Sequence, residues 1–313
     1  MGNAEAPEVG SLVQVEKNLR LRHVVGQEEA VRRLAGLVDR VLNDDHFSDW
    51  ALDKPKAIAL TGPPGCGKTH SIRALANEVE CPLIELCYED LASHLYDESI
   101  EKLAAFKAQV DEVSREHGHV LILIDEADSF FLSRFDSNVH ASDKKKTNFF
   151  LRWIDGDMEG SQNFTMVVTS NAWDLIDPAL KRSGRFTEIK YHKLKPEHIK
   201  EALQVHIELA ESKAGRKMFA PLEGDFALPA TVTGADIKEI VAEVLLQKAN
   251  EFLPLYRLKM DGQDVNITYG KDSLIHPDDV YAAAFKIANS MNQEKRSVGF
   301  GRSRTECAEH YKA

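Results

Sequence analysis

The chain has 313 residues, of which 43% are hydrophobic and 28% charged, so it is long enough for one large folded domain and a smaller one. The formal net charge of −11 argues against broad binding to nucleic acid or to anionic membranes. No apolar run is long enough to span a bilayer, and the four cysteines include no C-x-x-C pair, which favours a reduced, cytoplasmic setting.

The chain opens with a polar stretch, residues 1–22, that is predicted to form an N-terminal arm. Apolar residues then recur at helical spacing from Val31 to Val41. The turn Val25-Gly26 precedes them and would place apolar backbone beside the base of a nucleotide. A plain entry into the helix is the equal alternative for this turn.

The stretch Gly62–Thr69 fits the phosphate-binding pattern G-x-x-x-x-G-K-[ST]. It follows a predicted buried strand, Ala57–Leu60, and precedes a helical pattern from Ser71, which favours nucleotide binding over a chance glycine-rich turn. Glycines let backbone N–H groups curl around an anion, and the helix N-terminus adds free donors. Lys68 is predicted to reach the β- and γ-phosphates, and Thr69 to bind Mg²⁺. The residues predicted to contact the nucleotide here are Pro64, Gly65, Cys66, Gly67, Lys68, Thr69 and His70.

A continuous apolar run, His119–Ile124, predicts a strand that is buried on both faces. It ends in two acids, Asp125 and Glu126, at the carboxyl end of the strand, where ligands bind in open α/β sheets. Asp125 is predicted to hold the Mg²⁺ shell, and Glu126 to orient and polarise the attacking water. A solvated helix cap, which acids favour, is the alternative.

Further strands are predicted over 82–86, 164–169 and 188–191, the last at an edge. Strands that alternate with helices predict an α/β fold with a doubly wound parallel sheet of five strands. Asn171 follows the fourth strand, where its amide can bond both the γ-phosphate and the attacking water; a simple turn asparagine is the alternative.

The polar stretch Ser133–Lys146 is predicted to be an exposed loop. Its lysine run, Lys144–Lys146, reads as a solvated face, with a phosphate or partner contact as the alternative. From Lys195 the pattern changes to helices. We therefore predict a large nucleotide-binding domain over 23–192, a small helical lid domain over 193–292 and a basic tail over 293–313.

These motifs resemble those of the AAA+ ATPases. Gly62–Thr69 is similar to Walker A, the segment ending in Asp125–Asp128 to Walker B, and Thr169-Ser170-Asn171 to sensor 1. Ile176–Leu180 with the arginines that follow, and Thr233–Asp236, are similar to the AAA core clade of protein-remodelling machines. The resemblance implies a P-loop AAA+ large domain with a helical lid, and ATP hydrolysis that uses Mg²⁺.

The resemblance also implies how copies of the chain assemble. AAA+ proteins form rings, usually hexamers, in which Arg182 and Arg185 would reach the γ-phosphate of the neighbouring subunit as arginine fingers. Local ion pairs within one subunit are the alternative for these arginines. Gly234 and Ala235 take the sensor 2 position beside the nucleotide, and Val25-Gly26 matches the adenine-side turn.

Leu95-Tyr96 matches the first pore loop of the family, which implies a grip on an extended protein substrate; packing in the core is the alternative. Within the clade, the segment from Leu95 to Glu126 is similar in wording and length to the pachytene-checkpoint ATPases, which remodel HORMA-domain proteins and have bacterial relatives beside antiphage signalling genes. The chain departs from that subgroup at Ala235, where an arginine is usual, and leaves little room before His23 for an adaptor domain.

The sequence thus predicts a hexameric, Mg-ATP-driven protein-remodelling ATPase, with a HORMA-domain protein as the finer expectation for its partner. A nucleic-acid-handling AAA+ loader or initiator is the alternative function, against which the acidic balance speaks. A scaffold that binds nucleotide without turnover is a third hypothesis, although every expected catalytic position is filled.

Overall fold

The computed structural model describes residues 9–43, 46–47, 49–52, 55–91, 98–131, 141–160, 163–222, 232–261, 269 and 273–287. The chain divides into two compact units, with the boundary between Lys193 and Leu194. The first unit contains the sheet, and the second is built from helices.

The strands of the first unit are β1 Ser11–Leu12, β2 Ala57–Thr61, β3 Leu83–Glu85, β4 Val120–Ile124, β5 Phe164–Ser170 and β6 Phe186–Lys190. They form one sheet in the order β1-β3-β4-β5-β2-β6. From β3 to β6 all neighbours in this order run parallel. The predicted α/β class with a doubly wound sheet is therefore confirmed.

All five predicted parallel strands are present, and β1 adds a sixth strand that was not predicted. Ser11 and Leu12 pair antiparallel with Glu85 and Ile84 of β3. Val9, just before β1, is 3% exposed and packs in the core beneath the sheet. Part of the stretch predicted to be an arm thus covers an edge of the sheet whose backbone groups would otherwise be unpaired.

The helices of the first unit are α1 Glu28–Leu42, α2 Lys68–Glu78, α3 Glu98–His117, α4 Ala127–Phe130 and α5 Ala141–Asp155. The second unit has α6 Ile199–Ala214, α7 Gly234–Met260 and a further helix over 277–287. None of the helices in the described part of the chain has both the length and the apolar character needed to cross a bilayer.

The lysine run lies in helix α5 and not in an exposed loop, which corrects the prediction for residues 141–146. Lys144 and Lys145 are exposed. Lys146 is 4% exposed, and its Nζ lies 4.8 Å from the ring centre of Tyr88. A lysine can be buried in this way because its aliphatic stem packs against apolar surface while an aromatic face attracts the ammonium.

Two apolar clusters cover the two faces of the sheet. Along β4, Val120, Ile122 and Ile124 pack into one cluster, and Leu121 and Leu123 into the other. Successive side chains of a strand point to opposite faces, so a strand buried on both faces is apolar without a break. Polar residues occupy the carboxyl ends of β2, β4 and β5, and those ends form the candidate site.

Candidate functional site

The site lies where three neighbouring strands end. β5 is the middle strand: its Ser170 pairs with Thr61 of β2, and its Val168 pairs with Ile124 of β4. The strands are parallel, so the segments that follow them leave from the same edge of the sheet. The glycine-rich loop, the paired acids and Asn171 are brought together by this register.

Two glycines of the loop hold conformations that a side chain would disturb. Gly62 has φ 143°, and a Cβ there would lie 2.3 Å from the carbonyl oxygen of Tyr191. Gly67 has φ 92° and caps the N-terminus of α2. The first turn of α2 contains no acidic residue, so its N–H groups and the positive end of its dipole face the loop without a built-in anion.

Lys68 is the buried cation of the site, with 7% of its surface exposed. Its Nζ donates to the carbonyl oxygens of Gly62 and Pro63 and to Oδ1 of Asn171, each at 2.8 Å. The Cys66 Sγ atom is a fourth acceptor at 3.7 Å. None of these acceptors is a carboxylate, and no carboxylate among the described residues forms an ion pair with Lys68. The ammonium is therefore held in place while its charge stays uncompensated.

Asp125 connects the loop to the middle strand. The Thr69 hydroxyl lies 2.9 and 3.1 Å from the two carboxylate oxygens of Asp125. The Thr169 hydroxyl, at the end of β5, donates to the Oδ1 atom of the same carboxylate. Asp125 is thus fixed from both sides by hydroxyl groups.

Glu126 follows directly, and its carboxylate is exposed. Its backbone has φ 52° and ψ 50°, the left-handed region that residues other than glycine rarely adopt. Its N–H group donates to the Thr169 hydroxyl at 3.1 Å, and its carbonyl accepts from Ser129 at 2.8 Å. These two bonds fix the Glu126 backbone in a conformation that leaves its side chain exposed at the edge of the sheet.

Asn171 is bound through both its backbone and its side chain. Its N–H group donates to Oδ1 of Asp128 at 3.2 Å, while its amide oxygen accepts from Lys68. Asn171 is exposed, as its predicted contact with a γ-phosphate and a water requires. Two groups of hydrogen bonds thus lie at this edge: Lys68 with Asn171, which also binds Asp128, and Thr69 with Asp125, which Thr169 links to the Glu126 backbone. Since Lys68 and Thr69 are neighbours in the chain, the two groups together form the network of the site.

The remaining loop residues differ in exposure. Pro64 is exposed, Gly65 and His70 are half-buried, and Cys66 is buried. Burial raises the pKa of the Cys66 thiol, although the nearby Lys68 ammonium acts in the opposite direction. Cys66 is therefore a neutral thiol at neutral pH and belongs to the loop as a small buried side chain.

The turn Val25-Gly26 lies beside the loop. Gly26 has φ 72°. A Cβ atom added to Gly67 would lie 3.9 Å from the Val24 side chain. Gln27 fixes the turn, since its amide donates to the His192 carbonyl at 2.6 Å and accepts from the His192 N–H group at 3.1 Å. An apolar turn is thus held at the side of the phosphate loop.

The two predicted arginine fingers differ in their contacts: Arg185 is paired within the chain, and Arg182 is exposed. Arg185 forms a two-point ion pair with Asp155, with N–O distances of 2.9 and 2.7 Å, and also bonds the carbonyl of Ala179. The hydrogen bonds to Asp155 raise the pKa of Arg185 further above its ordinary value. Arg182 is exposed and makes no side-chain hydrogen bond within the described part of the chain. For Arg185, a single chain shows the local ion pair that was the alternative interpretation.

Two further pairs of predicted residues are not part of this network. Gly234 and Ala235 begin α7 in the second unit, where Thr233 and Asp236 form a reciprocal cap. Leu95 and Tyr96 lie outside the described residues.

The donor set fits Mg-ATP. Thr69 and Asp125 offer hard oxygen atoms side by side, and Mg²⁺ is commonly held by one or two protein groups together with substrate phosphates. The uncompensated Lys68 ammonium and the free first turn of α2 suit the phosphates. No larger cluster of acids, histidines and cysteines suited to a metal occurs within the described residues.

No role was predicted from the sequence for the linking residues Thr169, Asp128, Gln27 and Asp155, although the first two lie in the segments that resemble sensor 1 and Walker B. A signal existed for Thr169, because it is a polar residue at the end of an apolar strand and lies two positions before Asn171, on the same side of the strand. The other three contact segments that are distant in the chain or lie in turns.

Comparison with known proteins gives one family match. Residues 58–194 match the family described as "ATPase family associated with various cellular activities (AAA)". The matched segment begins in β2 and ends after β6, so it contains the whole network described above.

Three relatives cover most of this chain. "Protein SAV" of Sulfolobus acidocaldarius is 28% identical over 85% of this chain and 33% of its own length. The "26S proteasome regulatory subunit 8 homolog" of Schizosaccharomyces pombe is 30% identical over 63% of this chain and 49% of its own. The "Proteasome-activating nucleotidase" of Aeropyrum pernix is 28% identical over 74% of this chain and 55% of its own. The chain thus spans between a third and just over half of the length of these relatives.

Proposed function

We propose that this chain, whose residues 58–194 match the AAA ATPase family, works as a hexameric ring that couples ATP hydrolysis to the remodelling of a partner protein. Hydrolysis of ATP with Mg²⁺ is the chemistry of such a domain. The observation that carries the proposal is that the Lys68–Asn171 and Thr69–Asp125 hydrogen bonds lie at the same edge of the sheet.

Binding of the triphosphate is the work of the loop and of helix α2. Lys68 would exchange its contacts with the Gly62 and Pro63 carbonyls for phosphate oxygens, and the N–H groups of the first turn of α2 would donate to the same anion. Thr69 and Asp125 would hold the Mg²⁺ ion, which neutralises charge on the phosphate oxygens when bound.

Hydrolysis is assigned to Glu126 and Asn171. The exposed Glu126 carboxylate would accept a proton from the attacking water, and the fixed backbone around it limits the geometries that it can sample. Asn171 would orient the same water with its amide while its backbone stays bound to Asp128. Val25 and Gly26 would contact the adenine side of the nucleotide, and Gly234 and Ala235 would contact it from the lid.

Arg182 and Arg185 would act on the nucleotide of the neighbouring subunit. Fingers supplied in trans raise hydrolysis rates by about 10³–10⁵-fold in other nucleotide hydrolases. Arg182 is exposed and available, whereas Arg185 must first leave Asp155. Hydrolysis would therefore be fast only after the ring has assembled.

The partner is proposed to be a protein. The printed names of two relatives place them with the proteasome, which acts on proteins, and Leu95-Tyr96 would grip the substrate in the central pore. More specifically, we propose that the partner is a HORMA-domain protein in bacterial antiphage signalling. Stimulation of ATP hydrolysis by a purified HORMA-domain protein would support this proposal. We place the chain in a reducing compartment, the cytoplasm, because Cys66 is a free thiol inside the phosphate loop.

The experiment that tests the proposal is Glu126→Gln, with Glu112→Gln on the exposed side of α3 as the matched control. We expect the Glu126 variant to bind Mg-ATP with unchanged affinity but to hydrolyse it at least about 100-fold more slowly, because only the proton acceptor is lost. The control should hydrolyse ATP at the wild-type rate. Phosphate release and the mass of the particle in solution are measured together. Full hydrolysis by the Glu126 variant, or by a strictly monomeric wild type, would contradict the proposal.

A further inference from the structure

Thr169 begins the segment that resembles sensor 1, but no role was assigned to it there, and in the structure it connects two groups of the site. Its side chain is 2% exposed at the carboxyl end of β5. The hydroxyl donates to Oδ1 of Asp125 and accepts the N–H group of Glu126 at 3.1 Å. A hydroxyl has one donor and two acceptor positions, so it can make both bonds at once.

We propose that Thr169 is a positioning residue that couples the Mg²⁺ ligand to the general base. One hydroxyl fixes the carboxylate that would hold the ion and the backbone that carries the proton acceptor, so both groups keep one mutual geometry. The inference rests on the function proposed above, in which Asp125 holds Mg²⁺ and Glu126 activates water.

Asp125 needs this second contact because its first contact, Thr69, is itself a proposed ligand of the ion. In the structure the Thr69 hydroxyl lies against both carboxylate oxygens, at 2.9 and 3.1 Å. Coordination of an ion would use a lone pair of the Thr69 oxygen, so the position of Thr69 would depend on the ion, whereas Thr169 would orient the carboxylate from the protein side independently of the ion. Loss of such outer contacts typically costs about 10–100-fold in metal affinity or activity.

Glu126 needs the contact because of its backbone. A left-handed conformation at a residue with a side chain is unfavourable unless the surroundings hold it. The bond from the Glu126 N–H group to Thr169 is the restraint on its N-terminal side, and the bond from Ser129 to its carbonyl is the restraint on the other. Without the hydroxyl, the N–H group loses its acceptor and the direction of the carboxylate is less fixed.

Thr165 provides a matched control on the same strand. It lies four residues before Thr169, on the same face of β5, and is completely buried. Its hydroxyl lies 3.2 Å from Nε2 of His119 and donates to the Pro55 carbonyl at 3.4 Å, at the opposite end of the strand. Thr165→Val thus removes a buried hydroxyl with the same change of shape but away from the acids.

The experiment compares Thr169→Val, Thr169→Ser and Thr165→Val. For Thr169→Val we expect a kcat lower by about 10–100-fold and a similar rise in the Mg²⁺ concentration needed for half-maximal binding of a fluorescent ATP analogue. Affinity for that analogue in EDTA should stay within about twofold, since Lys68 and α2 are untouched. Thr169→Ser keeps the hydroxyl and should restore both properties, and Thr165→Val should match the wild type in both.

The outcomes separate this inference from the proposed function. If Glu126→Gln is inactive but Thr169→Val keeps the wild-type kcat and Mg²⁺ requirement, the role of Thr169 is wrong and the function stands. If Glu126→Gln is fully active, the function fails whatever Thr169→Val does. Equal defects in the serine and valine variants, with unchanged thermal unfolding, would show that the hydroxyl is not the cause and would also overturn the inference.

Discussion

Buried polar side chains in this chain repeatedly bind main-chain groups of another segment. Gln27 pairs with both backbone groups of His192, and Thr169 accepts the N–H group of Glu126. Glu211 in α6 accepts the N–H groups of Met218 and Phe219 at 2.8 and 3.0 Å. Each such contact gives a partner to backbone groups of another segment and so helps to fix the course of that segment, because a buried backbone group needs a partner.

Glu211 gives a prediction for stability and its pH dependence. Burial by itself raises the pKa of Glu211, but hydrogen bonds from Lys217 and from two backbone N–H groups outweigh it and lower that pKa overall. A lowered folded-state pKa contributes stability that is fully present above the ordinary value near 4.3 and is lost as the pH falls through the folded-state pKa. We expect Glu211→Gln to lower the free energy of unfolding by about 1.5–3 kcal/mol at pH 7, the range for bonds to a charged group.

The measurement is urea denaturation followed by circular dichroism, since all three tryptophans lie in the first unit. Glu208→Gln, an exposed position on the same helix, serves as the control and should change stability by less than about 0.5 kcal/mol. The difference between wild type and Glu211→Gln should shrink when the pH is lowered below 4. A difference that stays constant with pH would mean that the charge of Glu211 does not carry the effect.

At the scale of elements, β1 shows how a very short strand can matter. Both of its two residues pair with β3. Val9, just before the strand, is 3% exposed, whereas Leu12 within the strand is 62% exposed. We expect Val9→Ala to lower the free energy of unfolding by about 1–3 kcal/mol, because it removes two buried methyl groups and leaves a cavity. Leu12→Ala removes more atoms but from the surface, and it should cost less than about 0.5 kcal/mol in the same denaturation experiment. Equal losses would mean that the segment does not pack as the structure shows.

The sequence predicts the long apolar elements well and the short or mixed ones poorly. All five residues of β4 and the first four of β2 are apolar, and β5 has the apolar run Met166–Val168, a pattern that burial on both faces produces. Ser11-Leu12 is too short to show a period, so its pairing depends on where β3 lies in space. Lys146 was expected in solvent because lysine side chains are usually exposed. Its contact with the ring of Tyr88, which is distant in the chain, is not visible in the sequence.

The same reasoning applies to the site. Lys68, Thr69, Asp125 and Asn171 follow strands in the sequence, and parallel strands bring such positions together without further information. Thr169 and Asp128 act through hydrogen bonds across the strand ends, which depend on register and not on motif. The pairing of Arg185 with Asp155 depends on how α5 lies against the turn before β6. Roles for these arginines therefore remain predictions that need an experiment on the assembled molecule.

At the scale of the whole molecule, the proposal divides one hydrolysis site between two copies of the chain. Glu126→Gln subunits lack the proton acceptor but keep both arginines, whereas Arg182→Ala/Arg185→Ala subunits keep the acceptor and lack the arginines. Each should be inactive alone. In a mixed ring, a junction works when an arginine-less subunit receives the fingers of a Glu126→Gln neighbour, because head-to-tail contacts join unlike faces of successive subunits.

Equal mixing makes about one junction in four productive, so we expect the mixture to regain roughly a quarter of wild-type phosphate release if junctions act independently. The gain should disappear on dilution below the concentration at which the ring assembles, since mass action removes the junctions. If the arginines acted only on the nucleotide of their own chain, every chain in the mixture would still lack one part, and mixing could not restore activity. The local pair of Arg185 with Asp155 adds a second expectation: restoring Arg182 alone should rescue more activity than restoring Arg185 alone, because only Arg185 must break an ion pair before it can reach a neighbour.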